Sequence, residues 1–326
     1  MKKGVKKLLI GVGAAAAGAA AAIGVSKTIT HYLVKLAMDR ELPGTVKNME
    51  KAKERLVGAP EIQEIVQRMA AAADELRSSG CETVELLARD GEKLIGHWHW
   101  CEHAERTIVA MHGWRSSWAN DFGRIAPFWH NNYCNVLYAE QRGQGDSGGD
   151  YMGFGLLERF DCLDWVNWVN ERCGAELPVY LGGVSMGATT VLMTAGLDLP
   201  SNVRGIIADC GFTSPYAIWK HVAEHNLHVN YGLRAAAADD LCRKRIQFGA
   251  KEYSTVDAMK QCTVPVLFIH GSNDTFVPID MTYENYIACA APKHLLIIPG
   301  ADHGLSYFVE QDKYETAVRE FWETYD

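Results

Sequence analysis

Residues 179–192 read VYLGGVSMGATTVL, and this stretch decides the fold. Its apolar start predicts a β-strand and its apolar end predicts a helix, with the pentapeptide G-x-S-x-G at 183–187 between them. A sharp strand-to-helix turn puts Ser185 in a strained backbone conformation, and the flanking glycines let strand and helix pass closely. The stretch therefore predicts a serine nucleophile at a tight turn.

A serine hydroxyl is a weak nucleophile, so it needs a base that is itself oriented by an acid. His303 and Asp274 each follow a predicted apolar strand. Because the carboxyl ends of parallel strands meet at one edge of a sheet, we expect both side chains to lie beside Ser185. Asp209, at the end of another predicted strand, is the alternative acid.

A loop at 112–114 completes the predicted site. It reads His-Gly-Trp and follows the apolar run TIVAMH. An amide of such a loop, together with the amide of the residue after the nucleophile, can bind the oxyanion of an acyl-transfer intermediate. The backbone N–H groups of Trp114 and Met186 are therefore the candidate donors.

From Cys81 onward, short apolar runs alternate with helical stretches, which predicts an α/β fold. Two strands lie close together and the later ones are separated by helices, so we expect an eight-stranded, mostly parallel sheet covered by helices on both faces. The segment at about 212–260 interrupts this alternation and is predicted to form a small helical cap. The predicted runs are TVELLA, KLIGHWHW, TIVAMH, NVLYAE, PVYLGG, VRGIIAD, VPVLFIHG and HLLIIPG.

With these motifs, residues 81–326 resemble the α/β-hydrolase superfamily, and most closely its BEM46-like and prolyl-oligopeptidase-like bacterial serine hydrolases. The resemblance is carried by HGW at 112–114, QRGQGDSGG at 141–149, GVSMG at 183–187, HGSNDTFVP at 270–278 and GADHG at 300–304. It implies a Ser185–His303–Asp274 triad with an oxyanion hole at Trp114 and Met186. One departure is Glu140 with Gln144, where the family usually has Asp and His; it puts local packing and pocket shape in doubt.

The expected activity is hydrolysis of carboxylic esters through an acyl-enzyme, with short to medium acyl chains preferred. Peptide or amide hydrolysis is the alternative, and an inert membrane-tethered binding protein is a third interpretation. Neither a metal nor an organic cofactor is implied. Trp219 and Tyr231 of the cap are the candidate substrate-binding residues. Within the cap, H-x-x-E-H at 221–225 matches a zinc motif but lacks a third ligand, so we interpret it as part of a cap helix.

The N-terminus has a different composition. Four lysines precede an uncharged run at 8–25, which reaches the lower limit for a membrane span. Residues 1–26 are predicted to be an uncleaved anchor that exports the domain, with a cleaved signal or a soluble helical extension as alternatives. Residues 27–80 are predicted to be a helical linker, amphipathic near its end.

Composition limits the other function classes. The 326-residue chain has a net charge of −8, so it carries no general basic field for nucleic acid. Its nine cysteines include no C-x-x-C pair, which argues against a zinc ribbon or a thioredoxin motif and predicts mostly buried thiols.

Overall fold

The computed structural model describes residues 27–41 and 60–326. Eight strands form one sheet in the order β1-β2-β4-β3-β5-β6-β7-β8. The first two pairings, β1 with β2 and β2 with β4, are antiparallel, and the other five are parallel. The strands are β1 (Glu82–Leu87), β2 (Lys93–His99), β3 (Arg106–Met111), β4 (Cys134–Ala139), β5 (Val179–Val184), β6 (Val203–Asp209), β7 (Val266–Gly271) and β8 (Lys293–Ile298).

Twelve α-helices are described along the same residues. They are α1 (27–38), α2 (Pro60–Arg77), α3 (Trp118–Phe122), α4 (Ala126–Asn131), α5 (Glu158–Cys173), α6 (Met186–Thr194), α7 (Pro215–His221), α8 (Ala235–Ile246), α9 (Thr255–Met259), α10 (Ile279–Ala288), α11 (Ser306–Val309) and α12 (Gln311–Tyr325). A π-helical turn, Val222–Asn226, continues α7.

The central strands are buried on both faces because helices cover the sheet on both sides. Every residue of β3 and β4 is buried. One layer packs around Trp165 of α5 and the other around Phe122 of α3. A parallel sheet needs this double cover, since its strands are apolar on both faces. The predicted α/β-hydrolase fold with eight strands is confirmed.

A third apolar cluster joins parts of the chain that are distant in sequence. It contains Val34 and Met38 of α1, Met186 at the start of α6, and residues of α7 and α8. We call α7, the π-helical turn and α8, with the loop between them, the cap (215–246); it lies inside the segment predicted as a cap. The cap and α1 therefore pack together over the end of β5.

The membrane prediction concerns residues 1–26, which lie outside the described residues. None of the helices in the described ranges is both long enough and apolar enough to cross a membrane. The segment 27–80, predicted as a linker, contributes α1 and α2, and both pack on the domain: Val34 and Met38 in the third cluster, Ala73 and Leu76 beneath α3.

Candidate active site

Ser185 sits on a strained turn between β5 and α6. Its backbone has φ 55° and ψ −116°, in the region with positive φ that residues with a side chain rarely adopt. A Cβ atom on Gly187 would lie 1.8 Å from the carbonyl oxygen of Met111, and one on Gly183 would lie 2.3 Å from the carbonyl oxygen of Gly187. Only glycine fits at either position, and this close packing sustains the strain at the serine.

The structure brings Ser185, His303 and Asp274 into one hydrogen-bonded chain. His303 Nε2 lies 2.9 Å from Ser185 Oγ, and His303 Nδ1 lies 2.6 Å from Asp274 Oδ2. A carboxylate can only accept, so Nδ1 carries the proton and Nε2 is left to accept from the serine hydroxyl. The imidazole is thus in the tautomer that can take up the serine proton.

Asp274 is kept ionised by its surroundings. Its side chain is fully buried, and burial alone would raise its pKa. Hydrogen bonds from His270 and His303 and the charge of His303 outweigh burial and hold the pKa well below its usual value. The other carboxylate oxygen, Oδ1, accepts the backbone N–H groups of Phe276 at 2.9 Å and Val277 at 2.8 Å. The carboxylate is therefore fixed in orientation as well as in charge.

Asp209, the alternative acid, has a different partner. Its Oδ1 accepts a hydrogen bond from Ser306 Oγ at 2.9 Å, and the imidazole of His303 is bonded to Asp274 instead. Asp209 is buried, and burial raises its pKa to about 6 although Ser306 and the nearby histidines oppose the shift. Among the hydrogen bonds of the described residues, none joins Asp209 to a nitrogen of His303.

The raised pKa of Asp209 predicts a pH dependence of stability. Between the usual value near 3.8 and about 6, the folded protein binds a proton that the unfolded chain has released. The free energy of unfolding therefore falls as pH rises through this window, by up to about 3 kcal/mol. Asp209→Asn should abolish that part of the decline. Urea unfolding of the wild type and of Asp209→Asn at pH 4.5 and pH 7 measures this decline in each protein. An equal decline in the two proteins would contradict the assignment of the raised pKa to Asp209.

A rigid loop supports the predicted oxyanion donors. Asp121 accepts the backbone N–H of Gly113 at 2.6 Å and the hydroxyl of Ser116 at 2.5 Å, on either side of Trp114. Within the described part of the chain, neither the Trp114 amide nor the Met186 amide has a hydrogen-bond acceptor. Met186 opens α6, where helix N–H groups lack partners inside the helix. Both amides are thus available at the serine.

Glu140 and Gln144, which depart from the family motif, each contact a neighbouring part of the chain. Glu140 Oε1 lies 2.9 Å from His97 Nε2, which ties the loop after β4 to β2. Gln144 Oε1 accepts the backbone N–H of Arg115 at 2.5 Å, directly after Trp114. The glutamine therefore supports the loop at 112–116, which we call the oxyanion loop after its predicted role; the motif comparison alone did not predict this contact.

A pocket of about 790 Å³, which includes some open solvent, begins at Ser185. Trp219 and Tyr231, the two predicted substrate-binding residues, both line it. Leu227 also lines it and is 46% exposed, which places this residue at the mouth. The imidazoles of the H-x-x-E-H segment, His221 and His225, stack at 4.5 Å and do not line the pocket. The cap thus covers the serine with an apolar surface.

The sequence analysis missed the contribution of α1 to this pocket. Thr30, Val34 and Ala37 line it together with residues of the cap. Their spacing of three and four residues is the signal of a helix with one buried face. The same spacing also suits a helix beside a membrane segment, so the pattern alone does not identify the pocket wall.

One cluster of possible metal ligands comes together in the described ranges, namely Cys210, Asp274 and His303. Two of these already bond each other in the chain that leads to Ser185. The nine cysteines all fall within the described residues and carry free thiols.

Comparisons with known proteins agree with this geometry. The prolyl oligopeptidase family model matches residues 121–325, which include Ser185, Asp274 and His303. The uncharacterized protein YqkD of Bacillus subtilis (strain 168) is 29% identical over 219 residues, or 66% of this chain and 70% of that protein. The lysophosphatidylserine lipase ABHD12 of Danio rerio is 26% identical over 167 residues, or 49% of this chain and 41% of that protein.

Among solved structures, the Pyrococcus furiosus esterase Pf2001 is similar, with a TM-score of 0.64 and 21% identity over 77% of this chain and 93% of that chain. At this identity the likeness bears on the fold alone. The family match is more specific, since it spans well over half of the chain and contains the whole hydrogen-bonded chain from Asp274 to Ser185. The protein therefore belongs to the prolyl oligopeptidase family of α/β-hydrolases.

Proposed function

We propose that this hydrolase cleaves carboxylic esters through a Ser185–His303–Asp274 triad. The observation that carries the proposal is the hydrogen bond from the Ser185 hydroxyl to His303 Nε2 at 2.9 Å, made beside an apolar pocket that Ser185 lines. As Ser185 Oγ attacks the acyl carbonyl, His303 Nε2 takes its proton, and Asp274 stabilises the imidazolium. The alcohol leaves with that proton, and a water molecule activated by His303 releases the acid.

The amides of Trp114 and Met186 are proposed to bind the oxyanion. Each donor of this kind typically contributes about 3 kcal/mol to transition-state stabilisation. The mechanism needs neither a metal nor an organic cofactor, because the proton moves between Ser185 and His303. Trp219 and Tyr231 are proposed to bind the apolar part of the substrate.

Esters are favoured over peptides by the lining of the pocket. A bound peptide presents a backbone N–H or C=O at every residue, and these groups need partners when they are buried. The described lining is dominated by aliphatic and aromatic side chains, and Thr30 and Arg234 are among its few polar members. The name of one similar protein, a lysophosphatidylserine lipase, points the same way. The name of the family favours peptide hydrolysis, which remains the second candidate.

Two assays test the proposal. A fluorophosphonate probe should label the wild type, and Ser185→Ala should abolish the labelling. The wild type should then hydrolyse p-nitrophenyl esters faster than aminoacyl p-nitroanilides. Turnover of anilides alone would replace the ester proposal by the peptidase alternative. A folded wild type that is never labelled would favour the inert binding protein.

Attachment to a membrane through residues 1–26, with the domain outside the cytoplasm, remains a separate proposal. It is supported by the uncharged run behind four lysines. N-terminal sequencing of the protein in the membrane fraction tests it. An intact N-terminus supports an anchor, whereas a start after residue 20 indicates a cleaved signal.

A further inference from the structure

Helix α1 forms one side of the pocket, although it precedes β1 by more than 40 residues. Thr30 and Val34 are each 3% exposed, and both line the pocket together with Ala37. Ile218 and Trp219 of the cap line the same space. A substrate bound at Ser185 thus lies between α1 and the cap.

The C-terminal end of α1 is fixed by the oxyanion loop. Trp114 Nε1 donates to the carbonyl of Ala37 at 2.8 Å. The Arg115 guanidinium donates to the carbonyls of Leu36 at 3.0 Å and Asp39 at 2.6 Å. A cation at the last carbonyls also suits the negative end of the helix dipole. The side chain of Trp114 and that of its neighbour therefore position α1.

The cap and a neighbouring loop fix the same end. Asp39 forms an ion pair with Arg245 of α8 at 2.7 Å, with side chains 18% and 9% exposed. Met152 N–H donates to the carbonyl of Met38 at 2.7 Å. Together with the oxyanion loop, these contacts tie α1 to three parts of the domain. These contacts hold α1 against the domain beside the pocket.

The pocket offers space to both parts of an ester bound at Ser185. A leaving alcohol must reach His303 Nε2 to receive its proton, so it lies beside the imidazole. Ser185 and Trp114 line the pocket, and so does Phe276, whose ring centroid lies 5.1 Å from that of His303. We assign the part beside Trp114, whose side chain bonds Ala37 of α1, to the acyl chain, and the part beside Phe276 to the alcohol. The pocket lining runs along α1 from Thr30 to Ala37, a distance of about 10 Å at about 1.5 Å per residue, which suits an acyl chain of medium length.

We propose that α1 is the wall that limits acyl-chain length, with Val34 as its specificity-determining residue and medium-chain acyl esters as the substrate class. This rests on the proposed ester hydrolysis. Val34 is the buried apolar residue of α1 at this wall, between Thr30 and the fixed end at Ala37. A larger side chain at 34 shortens the space for the acyl chain without touching Ser185, His303 or Asp274.

The test is an acyl series of p-nitrophenyl esters from acetate to dodecanoate, measured as kcat/KM for the full-length enzyme. Val34→Phe should lower the value for the decanoate about 60-fold, because about three methylenes lose their place at about fourfold each. The value for the acetate should change by less than about threefold, since a two-carbon chain does not reach position 34. Val34→Ala should move the optimum toward longer chains. His31→Ala, at an exposed position of the same helix, serves as the control and should leave the profile unchanged.

The outcomes separate this proposal from the one on which it rests. A wild type that hydrolyses no ester overturns the proposed function and this proposal with it. A wild type that hydrolyses esters with a profile unaltered by both substitutions at 34 overturns the role of α1 alone. If circular dichroism shows that Val34→Phe does not fold, the profile of Val34→Ala decides, and an unchanged optimum overturns the proposal.

Discussion

Asp274→Asn is expected to lower kcat about 10⁴-fold while the fold stays intact. The reason lies in the two oxygens of the carboxylate. Oδ1 accepts the N–H groups of Phe276 and Val277, so the amide oxygen of the asparagine would keep that position. Its NH₂ group would then face His303 Nδ1, which could only accept. The proton of the imidazole would move to Nε2, and Nε2 could no longer take the proton of Ser185.

Turnover of a p-nitrophenyl ester at pH 8, with far-UV circular dichroism as a check of folding, measures this effect. Asp209→Asn is the matched control, because it makes the same chemical change at the other buried carboxylate near the site. The amide introduced there can still accept from Ser306 through its oxygen, so most of the activity should remain. An Asp274→Asn enzyme close to wild-type activity, or a large loss in Asp209→Asn alone, would reassign the acid to Asp209.

The sheet and the Ser185–His303–Asp274 chain could be predicted because each depends on local signals that add up. Apolar runs of strand length, separated by helices, leave few arrangements other than a parallel sheet covered on both faces. In such a sheet the residues after β5, β7 and β8 end at the same edge, although 118 positions separate Ser185 from His303 in the chain. The sheet topology thus brings into contact residues that are distant in sequence.

The role of α1 could not be predicted in this way. A helix with one apolar face must bury that face, but the spacing does not say against what. Val34 and Met38 suit the surface of a membrane as well as they suit the cap. The contacts that decide the matter come from Trp114, Arg115 and Arg245, whose partners in this segment are 75 to 206 residues away. Such long-range side-chain contacts leave no periodic pattern in the sequence.

The support of the oxyanion loop was missed for a related reason. Asp121 follows Gly113 by only eight residues, yet a single aspartate near a helix start is usually a cap. Here Ser117 caps α3, and its side chain accepts the N–H of Asn120. Asp121 is thus free to turn back to Gly113. To choose between capping α3 and accepting the N–H of Gly113, one must know the direction of α3. The sheet topology fixes that direction.

Gly187→Ala should be the most damaging single-methyl substitution at the turn that carries Ser185. Its Cβ would lie 1.8 Å from the carbonyl oxygen of Met111 and 2.8 Å from that of His112, and both are backbone atoms that cannot rotate away. Either α6 must move off the sheet or β3 must bend, so we expect a loss of about 4 kcal/mol or more in the free energy of unfolding.

Gly182→Ala, in β5, is the matched control: its nearest contact is a side-chain methyl of Ile108 at 3.5 Å, an ordinary van der Waals distance. It should change stability by less than about 1 kcal/mol. Urea unfolding of both variants measures the contrast, and fluorophosphonate labelling of any folded Gly187→Ala protein reports whether Ser185 stays reactive. Equal stabilities for the two variants would mean that helix and strand are not in contact at this turn, and the strained geometry proposed for the nucleophile would then have no support.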